Sequence, residues 1–190
     1  MTSLYHMMEC FVPQGQTIKD ILDYPLIDGV DSWIAGSRFD PPPPVPIQLS
    51  WDPNTRGSKK QFYDATIPLA HRELIAALRG AGVDNLDCYQ AAITDSLTGA
   101  LDEDYLAVNV IGLVRAADLA QSIYSDPSGR GSVDMDFDSL MLSTTAARNL
   151  LLFRLAECVT GIVVHDAVKR ALELRGGFGL TFVPPEQWIG

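Results

Sequence analysis

Near the C-terminal end, from Leu150 to Trp188, apolar and polar positions alternate in a way that predicts strand, strand, helix and strand. Leu150 to Ala156 is an apolar run too short to cross a membrane, and it reads as a buried strand. A second apolar run, Ile162 to Val164, leads into a helix from about Asp166 to Arg175. Its predicted buried stripe is Ala167, Val168, Ala171 and Leu172, with Lys169, Arg170 and Glu173 on the wet side. Gly176-Gly177 ends this helix, and a last strand, Phe178 to Val183, stops at Pro184-Pro185.

Upstream, Leu4 to Val12 predicts a first strand, stopped by Pro13-Gln14-Gly15. Thr17 is placed to cap a short helical turn over Ile18 to Leu22, and Trp33 to Gly36 predicts a short strand. The prolines from Pro41 to Pro46 read as a stiff extended connector, because a residue without an N–H cannot join a ladder. Pro46 to Trp51 follows as a strand, then a polar loop, Asp52 to Lys60, carrying Arg56, Lys59 and Lys60.

Leu69 to Ala81 predicts an amphipathic helix with Leu74, Ala77, Leu78 and Ala81 as its stripe and Gly82 as its stop. Asn85 to Ile93 and Tyr105 to Arg115 read as strands, the second central because it is apolar on both faces. Ser132 to Leu142 alternates Val133, Met135 and Phe137 with Asp134, Asp136 and Asp138, a strand with one apolar and one acidic face. No internal repeat is visible along the chain. The expected fold is α+β, a mostly antiparallel sheet with two or three packing helices in one compact domain. Residues 1–60 form its less regular N-terminal region with the proline connector, and residues 61–190 its core.

Charge narrows the function. Fourteen Lys and Arg against twenty-four Asp and Glu give a net charge of −10, which repels a phosphate backbone and argues against nucleic acid as a partner. The same field would draw in a basic protein, but on charge alone the favoured reading is that it keeps the protein soluble. Cys10, Cys88 and Cys158 fit neither a disulfide framework nor a zinc spacing and read as reduced thiols. Without a basic, apolar leader or a membrane-length run, the expected location is the cytoplasm, with no membrane partner. A homo-oligomer is left open.

Candidate chemistry is sparse. The acidic strand does not make a calcium loop, because the sixth position is Ser139 and the twelfth Thr145. No metal, cofactor or catalytic set is expected. The glycines after the last helix follow it instead of opening one, so they do not cradle phosphate. His6, His71 and His165 lie in no catalytic motif; His165, at a strand-to-helix junction, is the best catalytic candidate, and helix capping is the commoner role there. Asn109 and Arg154 share faces with apolar neighbours and are expected buried in a structural polar network, with Asp118 or Glu157 as the partner of Arg154.

Tyr105-Leu106-Ala107-Val108-Asn109-Val110, then Asp118 and Ser122, then Leu152-Phe153-Arg154-Leu155, then a strand, helix and glycine turn ending Gly179-Leu180-Thr181-Phe182, resemble the immunity protein 11 family. These are bacterial proteins encoded beside polymorphic toxins. The likeness covers roughly Ile67 to Trp188 and departs from the family at Ala70 and His165. It implies a non-catalytic protein that occludes a cognate toxin, and it carries over no catalytic residue. A toxin with a basic cleft would meet carboxylates that stand in for phosphates, first Asp134, Asp136 and Asp138, then Asp102, Glu103 and Asp104. The rival readings are an enzyme that reverses a toxin's modification, built on His165 or His71, and a non-catalytic scaffold protein.

Overall fold

The computed structural model describes residues 4–10, 12, 14–131 and 133–190. Phe11 and Pro13, at the expected end of the first strand, and Ser132, the expected start of the acidic strand, lie outside them, as do residues 1–3. The fold is α+β and mostly antiparallel, as the patterning predicts, with two α-helices.

Two sheets carry the structure. The five-stranded sheet contains β1 (Tyr5–Cys10), β8 (Leu113–Val114), β11 (Leu152–Leu155), β12 (Ile162–His165) and β13 (Leu180–Val183), in the order β13-β1-β12-β11-β8. The six-stranded sheet contains β2 (Ile47–Trp51), β3 (Phe62–Tyr63), β4 (Leu69–His71), β5 (Leu86–Asp95) and β7 (Tyr105–Val110), in the order β2-β5-β7-β4-β3, with β6 (Leu101–Asp102) paired to β5. Among the described residues, the parallel strand pairs are β2–β5 and β8–β11. A separate ribbon pairs β9 (Ile123–Ser125) with β10 (Asp136–Ser139).

Helix α1 (Arg72–Gly80) and helix α2 (Asp166–Glu173) bury Leu74, Ile75, Leu78, Val168 and Leu172 in one central core. That core also takes Ala70, Val108 and Val110 from the six-stranded sheet and Met8, Leu152, Ile162 and Val164 from the five-stranded one. Period-two alternation sends the intervening residues outward. Leu69, Tyr105 and Ala107 pack under Ile21, Trp33, Ile47 and Trp51, while Tyr5, Met7, Phe153 and Val163 pack under Met135, Phe137, Leu140 and Trp188. The first sixty residues thus supply β1 to one sheet and β2 to the other.

The two halves repeat one unit. In each, a hairpin runs into a helix, and a strand after the helix returns to pair with a fourth. Phe62 faces Ala70 as Leu152 faces Val164; Tyr63 faces Leu69 as Phe153 faces Val163. His71 faces Tyr105 and His165 faces Tyr5, with the rings edge-to-face at 5.4 and 5.3 Å. After the helix, Leu86 faces Val110 as Leu180 faces Cys10. Aligning His71 with His165 without gaps matches Ala77 to Ala171, Leu78 to Leu172, Gly82 to Gly176 and Leu86 to Leu180, all identities. Gly82 and Gly176 both take φ above +90°, the left-handed region where a Cβ is strained. This repeat was not visible in the sequence because the fourth strand of the second unit, β1, stands at the other end of the chain.

Several boundaries differ from the patterning. The helix expected from Leu69 starts at Arg72, because Leu69–His71 is strand β4 and His71 caps the helix. The run Tyr105 to Arg115 is two strands in different sheets, parted where Gly112 turns at φ 101°. Ile18 to Leu22 is not a helical turn: Ile18 and Ile21 make isolated bridges to Ser58 and Trp51. Trp33 to Gly36 is a turn, with Trp33 buried as an anchor. The acidic strand shrinks to Asp136–Ser139, and Val133, expected inward, is exposed at φ 83°. In α2, Ala167 faces solvent and Asp166 is buried.

Candidate functional site

Asp134, Asp136 and Asp138 are all exposed while Met135 and Phe137 are buried, so the expected two-faced pattern holds over those residues. Phe137 anchors the ribbon, with its ring centroid 6.0 Å from that of Tyr124 and 6.3 Å from that of Trp188. Its main chain exchanges bonds with Gly190, the acceptor in one being Phe137 O at 3.1 Å. Asp134 accepts from the Ser128 hydroxyl at 2.8 Å. On the neighbouring strand, β9 is exposed throughout and pairs only with β10 among the described residues. Tyr124, opposite Phe137, packs on its face of the ribbon and stays partly exposed, and Ile123 is exposed at the strand's start.

Asp126 adds a fourth carboxylate to this end of the ribbon. The backbone N–H groups of Gly131 and Gly129 and the Ser128 hydroxyl hold it below the usual carboxylate range. Its sequence signal, Asp-Pro-Ser-Gly, marks a turn and says nothing of charge display.

The second predicted acidic cluster is different. Asp102 ends β6 of the six-stranded sheet, and Glu103 and Asp104 form the turn into β7, apart from the ribbon. Asp102 is paired with Lys59 at 2.5 Å, and Lys59 lies over the Trp51 ring. Lys59 of the basic loop is therefore engaged within the fold. Glu103 and Asp104 remain exposed, and the Glu103 carbonyl accepts from Arg72 Nε at 2.8 Å.

Asn109 and Arg154 are fully buried, whereas Asp118 is only half-buried. Asn109 donates to the Ser37 carbonyl at 2.7 Å. Arg154 Nη1 donates to Val159 O and Nη2 to Asp64 Oδ1, both at 2.9 Å. Asp64, not Asp118 or Glu157, is the partner. It holds in the first unit the place Arg154 holds in the second, one residue past the hairpin aromatic, so the pair joins matching positions of the two halves. Asp118 is half-buried and instead orders its own turn, accepting from Ala120 N and Gln121 Nε2. Glu157 is buried, and burial pushes its carboxyl up.

His165 and His71 are both helix caps: Nδ1 accepts from Ala167 N at 3.1 Å and from Glu73 N at 3.3 Å. His6 Nε2 lies 3.2 Å from Asp166 Oδ1, and Asp166 also holds Arg170 at 2.6 Å. The three cysteines are free thiols, and Cys158 is buried. Among the described residues, no helix is long and apolar enough to cross a membrane.

No protein-family model matches the chain, and comparison with curated proteins finds no match.

Proposed function

We propose that this chain is a non-catalytic binder that occludes a basic protein partner. On the resemblance to the immunity protein 11 family, that partner is a bacterial toxin with a basic active-site cleft. The observation that carries the reading is the β9–β10 ribbon, where exposed Asp136 and Asp138, with exposed Asp134 just before the strand, adjoin a strand edge that is open among the described residues and bears Ile123 and Tyr124.

The chemistry follows from the two strands. Asp136 and Asp138 are both exposed on either side of buried Phe137, Asp138 at a bulge in the pairing, and together they present negative charge that steers a cationic cleft. The open edge of β9 offers main-chain donors and acceptors, and Ile123 and Tyr124 supply apolar contact once the encounter is made. Charge sets the association rate, and the desolvated apolar contact sets the lifetime.

The test starts from the protein encoded beside this chain's gene, purified and assayed with and without the chain. The expected result is inhibition by the wild type. A variant with all three ribbon aspartates changed to Lys should associate about tenfold more slowly at low salt, with the difference shrinking as salt rises. Equal association rates for the two proteins at low salt would remove the ribbon from the interface.

A further inference from the structure

From Asp20 to Ser37 the chain carries Asp20, Asp23, Asp28 and Asp31 and no lysine or arginine. Among the described residues none of the four is in an ion pair. Leu26, within this stretch, is fully exposed, and Leu22 and Val45 are also exposed. Two clefts meet at Leu26, one of them running to Pro44 and Ile47. The other is a cavity of about 350 Å³ walled by Ile27, Trp33, Ile34 and Ile67.

The same cavity reaches the junction of the two units. Asp31, Asp64 and Arg154 line it, two carboxylates against one guanidinium. Asp64 gives Oδ1 to Arg154 and keeps a third of its side chain exposed. Arg154 has only 1% of its side chain exposed, and its buried Nε has no hydrogen-bond partner among the described residues. The cavity thus combines apolar walls and a partly used acceptor, with net negative charge at its lining.

We propose that this cavity receives an arginine side chain from a basic protein partner. The methylene stem lies along Trp33, Ile34 and Ile67, and the guanidinium donates to Asp64 and Asp31. Leu26 packs beside the anchor, and Asp23 and Asp28 meet cations flanking it. The inference deepens the proposed function by adding a second contact surface, and it rests on the reading that the partner is basic.

Three synthetic blocked pentapeptides test it, Gly-Leu-Arg-Leu-Gly and its counterparts with norleucine or glutamate at the centre. The readout is the indole N–H resonance of Trp33, assigned by comparison with Trp33→Phe. The arginine peptide is expected to shift that resonance saturably and to bind about tenfold more tightly than the norleucine peptide, the worth of one charge-assisted bond. Asp31→Asn should weaken it about threefold, as for a solvent-facing ion pair. Leu26→Ala should also weaken it. Asp31 and Leu26 are exposed, so both variants keep the fold even if Asp64→Asn does not. Equal binding of the arginine and norleucine peptides, preference for the glutamate peptide, or a silent Trp33 would each overturn the proposal. None of those results bears on the ribbon, whose own test uses other residues and the whole partner.

Discussion

Arg154 and Glu157 lie three residues apart, and both are charged groups removed from water, but with opposite consequences. Arg154 is neutralised by Asp64, so deleting the carboxylate strands a buried cation. Asp64→Asn is expected to cost about 3 kcal/mol in urea unfolding. Arg154→Met should cost less, because it leaves a carboxylate already one-third exposed. Equal costs would mean that the pair contributes by packing alone. Glu157 has a buried oxygen, Oε2, without a partner, and burial raises its carboxyl above the ordinary value despite N–H groups of Ala116 and Ala117. A raised carboxyl in the folded state means that the unfolded state ionises more readily. Stability is therefore full below the unfolded carboxylate range and falls as pH rises through the folded value. Glu157→Gln should stabilise the protein by about 1 kcal/mol near neutral pH, with the gain gone by about pH 4. A pH-independent gain would locate the effect elsewhere. The burial of Arg154 and Asn109 was legible from the apolar residues sharing their faces. Asp64 was not, because it lies ninety residues from Arg154 in sequence and local spacing does not report such a contact.

At the scale of elements, the two helices begin at the same device. A histidine ends a strand, turns its ring edge-to-face with a tyrosine on the adjoining strand and accepts the first free N–H of the helix. His71→Ala and His165→Ala should each cost about 1 kcal/mol, the usual worth of a cap, and Asn at either position should recover part of it. Thermal or urea unfolding of the single and double variants checks this. Histidine is outside the usual set of capping residues, so the reading of Leu69 to Ala81 as unbroken helix missed the start at Arg72. The capping role of His165 was read correctly from its junction. The break at Gly112 was missed for a related reason: apolar periodicity is blind to which sheet a strand joins. Along the ribbon, alternation gave Met135 and Phe137 correctly and failed at Val133, where the backbone takes a left-handed turn.

For the whole molecule, both helices and the inner faces of both sheets close on a single core, and this explains why the fold class was readable while the doubling was not. Each local pattern is a strand or a helix in either view. The matched residues are a cap, core positions and a glycine turn, too few and too far apart to announce a repeat. Since β1 completes the second unit from the opposite end of the chain, its covalent place there is dispensable. A permuted chain with Leu4 to Cys10 moved past Gly190 on a flexible linker of about ten residues should fold with native ring-current shifts at Tyr5 and Phe153. A molten product would show that the segment joining β1 to the rest also carries structure.

The same arrangement bears on how the protein is made. As the chain leaves the ribosome, β1 emerges long before either of its neighbours, β12 and β13. The first unit has all its strands once Val110 is out, whereas the second waits until Ile162–His165 and Leu180–Val183 have followed, with β1 uncovered meanwhile and apolar at Tyr5, Met7 and Met8. Premature termination anywhere before Ile162 therefore leaves that strand with no antiparallel neighbour, a sticky edge that a chaperone or a protease must deal with.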